Sequence, residues 1–350
     1  MEQLLPPIGI YNSLKDWFSY TDPNESEYHQ IYPATSFKRT IKHPPSRYPI
    51  VLEGGDIGII PHGGIWGLNG AIITANNHLI WDVSKEMVET PYKHSIFKQK
   101  SLPPVSHYYK SAADLTHVFS ENYYHWLYEV LPRIHLLEQR GIKPEYYICK
   151  YNALPFQSET LSQLGFLEKI VITNHDTHLQ AEELIVPSQP SYATKWGFDF
   201  LRRSFLKENS LKPSKRIYIR RKGYRRITNQ GDIDELLFKY KFLQVELETL
   251  SFFEQVQLFS SAEIIIAAHG AGLANLTFCT PGTQVLEIFS PTYITPLYWT
   301  ISNFGNLNYH YYIGQLSEQD KYKSDQGWHG TDNIVINLSK LSSFLKKLRL

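Results

Sequence analysis

The chain has 350 residues, with 35 lysines and arginines against 34 aspartates and glutamates, and a formal net charge of +1. Near-neutrality excludes a general nucleic-acid or membrane-surface binder, which carries a basic excess, and a hydrophobic content of 42% excludes a disordered chain. At roughly 150 residues per domain, the length predicts two domains or one large one.

The opening MEQLLPPIGIYNSLKDW has no basic segment followed by a long apolar run, so no signal peptide is expected. No stretch approaches the ~20 apolar residues of a membrane span. Cys149 and Cys279 fit neither a disulfide framework nor a zinc-site spacing. A cytoplasmic setting is expected, with the sequons at Asn24, Asn275 and Asn337 read as chance matches. Residues 1–47, rich in Pro, Tyr and Ser, read as an irregular arm. Residues 48–83 carry Gly54-Gly55, Gly63-Gly64, Asn69-Gly70 and Asn76-Asn77 between short apolar runs, which predicts a small antiparallel sheet. Residues 84–110 read as a loop.

From residue 122 the pattern becomes helical. Trp126, Leu127, Val130, Leu131, Ile134 and Leu137 recur at helix spacing, Gly141 is a good C-cap, and Pro132 should kink or split the helix. A strand at Tyr146–Cys149, a helix at Gln157–Leu164 and strands at Ile170–Thr173 and Glu183–Val186 follow. Lys207–Ser214 reads as an interdomain linker. Beyond it come a strand at Arg216–Arg221, a helix from Asn229 to Tyr240, a strand at Phe242–Leu247 and a capping-box helix from Ser251. A continuous apolar strand, Glu263–Ala268, leads to a short helix ending at Cys279 and a strand at Gln284–Phe289. This alternation predicts an α/β, parallel, doubly wound sheet. An amphipathic helix closes the chain, with Lys346, Lys347 and Arg349 complementing its dipole.

Three constellations carry candidate chemistry. The first is His269-Gly-Ala-Gly272, with Ala271 between the glycines, where a buried strand meets a helix. Gly270 and Gly272 would let backbone approach a phosphate, the helix start offers free N–H groups, and Glu287 on the next strand could accept from ribose hydroxyls. A glycine pair serving only the geometry of the turn is compatible with the same pattern. The second is the run from Arg216 to Arg226, five arginines and a lysine in eleven positions. Guanidinium forks suit diphosphate oxygens and need no metal to neutralise a leaving diphosphate. A solvated basic loop is the alternative. Function is expected at Arg220 and Arg225, with Arg221 and Arg226 facing solvent. The third is His125 and Glu129, four apart on one helix face, a pairing that suits a general base. On spacing alone, a structural histidine in a helix start capped by Asn122 is the simpler reading. Tyr123, Tyr124 and Trp126 flank it and could stack on a sugar. Asp232-Ile-Asp234 has the metal-binding DxD form, but at a helix start it reads as capping.

Together NYYHWLYEVLPRIHLLE, RIYIRR…RRITN and LSFFEQVQLFSSAEIIIAAHGAGLANLTFCTPGTQVLEI resemble glycosyltransferase family 61, whose bacterial members serve capsular polysaccharide biosynthesis. The resemblance spans roughly residues 115–315. It implies a GT-B architecture, two Rossmann-like domains facing a cleft, here with a small N-terminal β-rich elaboration. It also implies inverting transfer from a nucleoside diphosphate sugar, UDP-linked, to a glycan or other hydroxyl acceptor, with no metal or other cofactor. By motif position His269, Gly270, Ala271, Gly272 and Asn275 form the donor turn, Arg220, Arg225 and Asn229 the diphosphate loop, Glu287 the acid after the turn, and His125 with Glu129 the catalytic helix. Relatives carry Asn-Glu where this chain has Asn229-Gln230. The expected division is residues 1–110 and 111–206 as acceptor part, 207–330 as donor domain and 331–350 as terminal helix. A non-catalytic nucleotide- or glycan-binding module is the rival reading; an ester hydrolase lacks its G-x-S-x-G nucleophile.

Overall fold

A computed structural model of the chain describes residues 4–24, 26–36, 42–48, 50–207, 213–320 and 330–348. It divides into two compact units, Met1–Ser36 with Leu52–Leu201, and Phe37–Val51 with Arg202–Leu350.

In the first unit the long strand His178–Pro187 organises a mixed sheet. On one side it pairs in parallel with His107–Asp114, followed by Tyr146–Cys149 and Ile170–Ile172, also parallel. On the other it pairs antiparallel with Gly55–Pro61 and Gly64–Trp66. Gly64–Trp66, Ala71–Ile73 and His78–Ile80 form the expected antiparallel ribbon. The expected irregular arm is instead structured. Gly9–Tyr11 extends the ribbon in parallel, Glu27–Tyr32 pairs with Gly55–Pro61, and the helix Leu14–Ser19 buries Leu14 and Trp17 against Ile60, Ile72 and Leu184. Residues 42–48, read as part of that arm, group with the second unit, where Ser46 Oγ donates to the Ile294 carbonyl at 3.0 Å. The helix Lys195–Phe205 had no forecast in the sequence.

The second unit holds a five-stranded, all-parallel sheet in the order Leu243–Val245, Lys215–Ile219, Ala262–Ala268, Gln284–Phe289, Asn308–Ile313. In chain order this is 2-1-3-4-5, a doubly wound arrangement whose direction of winding reverses between Lys215–Ile219 and Ala262–Ala268. Ligands bind at such a reversal, outside the carboxyl ends of the strands. Ile264, Ile266, Leu286 and Ile288 pack with Ile233 and Leu237 of the helix Gln230–Lys239 and with Leu341 and Leu345 of the helix Leu338–Lys347. Of the expected linker, residues 208–212 lie outside the described residues, as does Arg349.

Candidate active site

The first constellation of side chains sits at the carboxyl end of His107–Asp114. Asp114 Oδ1 accepts from the backbone N–H of Thr116 at 2.9 Å and from its hydroxyl at 2.6 Å, turning the chain into the loop that carries His117. Asn122 Oδ1 then caps the next helix by accepting from Tyr124 N–H at 3.0 Å. The helix is split as Pro132 predicts. Tyr123–His125 is α-helical, Trp126–Val130 is a single π turn closed by Leu131 N–H to the Trp126 carbonyl at 3.0 Å, and Pro132–Arg140 resumes the α-helix up to Gly141. Proline offers no N–H and its ring crowds the preceding turn; the widened turn absorbs both.

That turn buries Glu129 at 3% exposure. Its Oε2 lies 2.6 Å from His125 Nδ1 and 3.1 Å from His117 Nε2. The partners fix the tautomers. His117 Nδ1 accepts the Phe119 backbone N–H at 3.2 Å, so its Nε2 holds the proton and donates to Glu129. His125 donates through Nδ1, which leaves its Nε2 with a lone pair, on a side chain 30% exposed. Burial alone would raise the Glu129 carboxyl, but the two histidine hydrogen bonds outweigh it and hold the group below its ordinary value. An ionised carboxylate behind Nδ1 fixes the orientation of the imidazole and leaves the Nε2 lone pair to take a proton. The pairing of His125 with Glu129 was legible in the spacing. His117, eight residues earlier and on a loop, was not.

His117, His125 and Glu129 also form a group whose ligand atoms lie within 4.8 Å of one another, close enough to share a cation. The hydrogen bonding fits proton handling better. The Phe119 amide holds His117 in the tautomer with N–H at Nε2, the nitrogen that would have to ligate. The neighbouring rings differ from expectation. Trp126 is fully buried with its Nε1 donating to Thr160 Oγ1 at 2.9 Å, and the Tyr124 hydroxyl accepts from Ala193 N–H at 3.1 Å, so both pack the interior instead of offering a stacking face.

The second constellation, in the other unit, gathers where the parallel sheet reverses. The strand Lys215–Ile219 runs into the arginine loop and Ala262–Ala268 runs into His269. Arg220 is 40% exposed and its Nη2 lies 3.5 Å from Asp234 Oδ2. Asp234 therefore anchors Arg220, beyond the helix-start role expected of the Asp232-Ile-Asp234 segment. Arg221 is not the solvent-facing residue expected. Its Nε donates to the Tyr224 carbonyl at 2.7 Å and its Nη1 to the His269 carbonyl at 3.1 Å. Arg225 is more enclosed, at 7% exposure. It adopts a left-handed φ of 55°, its Nη1 donates to the Gly330 carbonyl at 2.6 Å, and its guanidinium lies 4.9 Å from the ring centres of both Tyr224 and Tyr293. Arg226 faces solvent as expected. A cavity of about 360 Å³ opens beside the loop, lined by Arg220, Arg221, Lys222, Arg226, Thr228 and Gln230 among others.

Behind this face, His269 Nδ1 and Glu287 Oε1 are 2.5 Å apart, and Tyr309 donates to Glu287 Oε2 at 2.6 Å. Glu287 is fully buried with both oxygens engaged, so the expected ribose contact gives way to holding His269 in place. Burial pushes the Glu287 carboxyl up to about 8. Burial, then Arg225 and Arg221, push His269 well below its ordinary value. The pair therefore rests uncharged at neutral pH, with Glu287 donating to Nδ1 and the proton of His269 on Nε2. Two other expected donor residues are structural. Asn229 has no capping bond; its amide clasps the backbone of Ile336, Nδ2 donating to the carbonyl at 2.9 Å and Oδ1 accepting N–H at 3.1 Å. Asn275 is buried and donates to Gln255 Oε1 at 2.8 Å and the Gly272 carbonyl at 3.1 Å, closing the turn. Gly272 leaves room for Leu247, whose Cδ1 would lie 2.5 Å from an added Cβ.

Residues 123–286 match the family model Glycosyltransferase 61, a span that takes in His125, Glu129, the arginine loop and the HGAG turn and stops one residue short of Glu287. A beta-1,2-xylosyltransferase of Oryza sativa subsp. japonica is 28% identical over 133 residues, 33% of this chain and 25% of that protein. A protein O-linked-mannose beta-1,4-N-acetylglucosaminyltransferase 2 of Tetraodon nigroviridis is 31% identical over 107 residues, 29% of this chain and 18% of that protein. The matched part thus spans a quarter or less of these relatives' length. Both are named for glycosyl transfer. No described helix is long and apolar enough to cross a membrane.

Proposed function

We propose that this chain is an inverting glycosyltransferase that moves a sugar from a nucleoside diphosphate sugar, UDP-linked, to a hydroxyl of a glycan or other acceptor. One observation carries the reading. Where the winding of a parallel sheet reverses, two guanidiniums, Arg221 and Arg225, converge with no carboxylate ion-paired to either among the described residues. Buried or half-buried cations with no ion-pair partner are costly unless an anion completes the site, and a diphosphate does so with bidentate geometry.

In the proposed reaction the acceptor oxygen attacks the anomeric carbon from the face opposite the diphosphate. The new C–O bond forms as the bond from the anomeric carbon to the phosphate oxygen breaks. The acceptor proton passes to His125 Nε2, and the electron pair leaves with the nucleoside diphosphate, whose growing charge the arginines stabilise. Glu129, held by His117 and His125, stabilises the imidazolium that results. No metal is required in this scheme. The reading assigns base and donor sites to different units, as in a GT-B enzyme. Polysaccharide biosynthesis enters on the sequence resemblance, as the setting in which such a transfer would be used.

The test is turnover against binding. His125→Ala should lower transfer by about 10²- to 10⁴-fold, the usual share of a general base, while UDP affinity stays as in the wild type. Full turnover by that variant would remove the base assignment. Binding of UDP-sugars by the wild type with neither transfer nor hydrolysis would favour the non-catalytic module instead.

A further inference from the structure

We infer that Arg221 and Arg225, rather than Arg220, are the guanidinium pair that grips the diphosphate, and that Gly270 is glycine because Arg221 must lie against it. The inference rests on the donor-site reading above and reassigns its residues.

The two halves come from separate observations. Gly270 has φ 177°, extended backbone that any residue adopts, so its own conformation does not demand glycine. What demands it is space: a Cβ there would meet Arg221 Nη1 at 1.5 Å and Cζ at 2.8 Å. The guanidinium is tied down from two sides by the carbonyls of Tyr224 and His269 and cannot swing clear without losing both bonds. The glycine of the HGAG turn is thus a seat for an arginine, and backbone access for a phosphate is a by-product of it.

The second observation is charge. Arg225 lies nine-tenths buried, and its Nε has no hydrogen-bond partner among the described residues. Arg221 is pressed by burial and by Arg225 itself, two like charges held side by side. Such an arrangement costs stability in the free protein and is repaid by an anion shared between them. Arg220 differs on each count. It is substantially exposed and already faces Asp234. The strain of the left-handed backbone at Arg225 points the same way, since a bulky residue holds that conformation only where its surroundings enforce it.

The test is calorimetric binding of UDP and of inorganic pyrophosphate to the intact chain, with melting curves to verify folding. R221K and R225K keep the charge and lose the fork; each should weaken both probes at least tenfold, and more than R220K does. R216K, at the other end of its strand and paired with Glu263, serves as the control and should bind as wild type. G270A should weaken binding as R221K does, and the double variant should be no worse than either single one, because both remove the same seated guanidinium. If G270A fails to fold, the arginine comparison decides alone. A wild type that binds UDP while R221K binds equally well, or R220K loses more, overturns this assignment and leaves the transferase reading in place. A wild type that binds neither probe overturns both.

Discussion

In the proposed transfer His125 serves as the base by virtue of what stands behind it. Two N–H donors converge on one oxygen of Glu129, and each hydrogen bond to a charged group contributes about 1.5–3 kcal/mol in such a setting. Removing the His117 donor leaves Glu129 held by His125 alone. His117→Ala is expected to slow transfer by about tenfold, a fraction of a full general-base effect, with donor affinity unchanged; transfer at the wild-type rate would restrict His117 to packing. Glu287 offers a test through pH and stability. Its folded pKa is raised from 4.5 to about 8 by burial, so the folded state binds the proton more tightly than the unfolded one. Stability from this group is full at about pH 4 and below and declines as pH rises from there to about 8. Glu287→Gln keeps both bonds, its amide donating to His269 and accepting from Tyr309, with no proton to lose. The variant should show a smaller fall in melting temperature between pH 5 and pH 8 than the wild type, and an equal fall would contradict the raised carboxyl.

The helix that follows His125 and Glu129 is pinned at the level of elements by one buried ion pair. Arg133, on Pro132–Arg140, donates to Asp114 Oδ2 at 2.5 Å and to the carbonyls of Thr116 at 2.8 Å and Pro187 at 3.2 Å, with both charged side chains fully enclosed. It thereby joins the helix to the two central strands of its sheet. Arg133→Met strands the Asp114 charge and should cost about 3–5 kcal/mol in denaturant unfolding, the usual result of halving a buried pair. The pair was hidden in the sequence because its members are nineteen positions apart on different elements. Features governed by neighbours in the chain were legible: the split at Pro132, the Gly141 cap at φ 66°, the Ser251 capping box and the strand Gln284–Phe289 at its full length. Features governed by long-range contact were not. Glu287 reads as a polar residue on a strand until Tyr309 and His269 are seen to close over it. Arg221 reads as one charge in a run until Gly270 is seen to make its place. Short strands at residues 9–32, of which Gly9–Tyr11 pairs with His78–Ile80 and Glu27–Tyr32 with Gly55–Pro61, carry too little local pattern to stand out from loop.

At the scale of the whole molecule, the near-neutral balance of 35 against 34 conceals an uneven distribution. The second unit gathers five arginines and a lysine within residues 216–226, of which Arg221 and Arg225 have no ion-paired carboxylate among the described residues, while the first sets His117 and His125 around the ionised Glu129. The proposed reaction assigns donor chemistry and proton chemistry to separate units, and ligand protection should follow that division. Hydrogen exchange with UDP present should slow at residues 220–226 and 269–273 and leave 117–129 unchanged; protection centred on 117–129 would reverse the assignment. The most direct test of the central claim is a transfer assay across UDP-sugars in which released UDP and the anomeric configuration of the product are read together, for wild type and His125→Ala. The account predicts UDP release by the wild type with inversion at the anomeric carbon, and loss of turnover at retained UDP affinity in the variant. A product with retained configuration, or equal turnover by the two proteins, would contradict it.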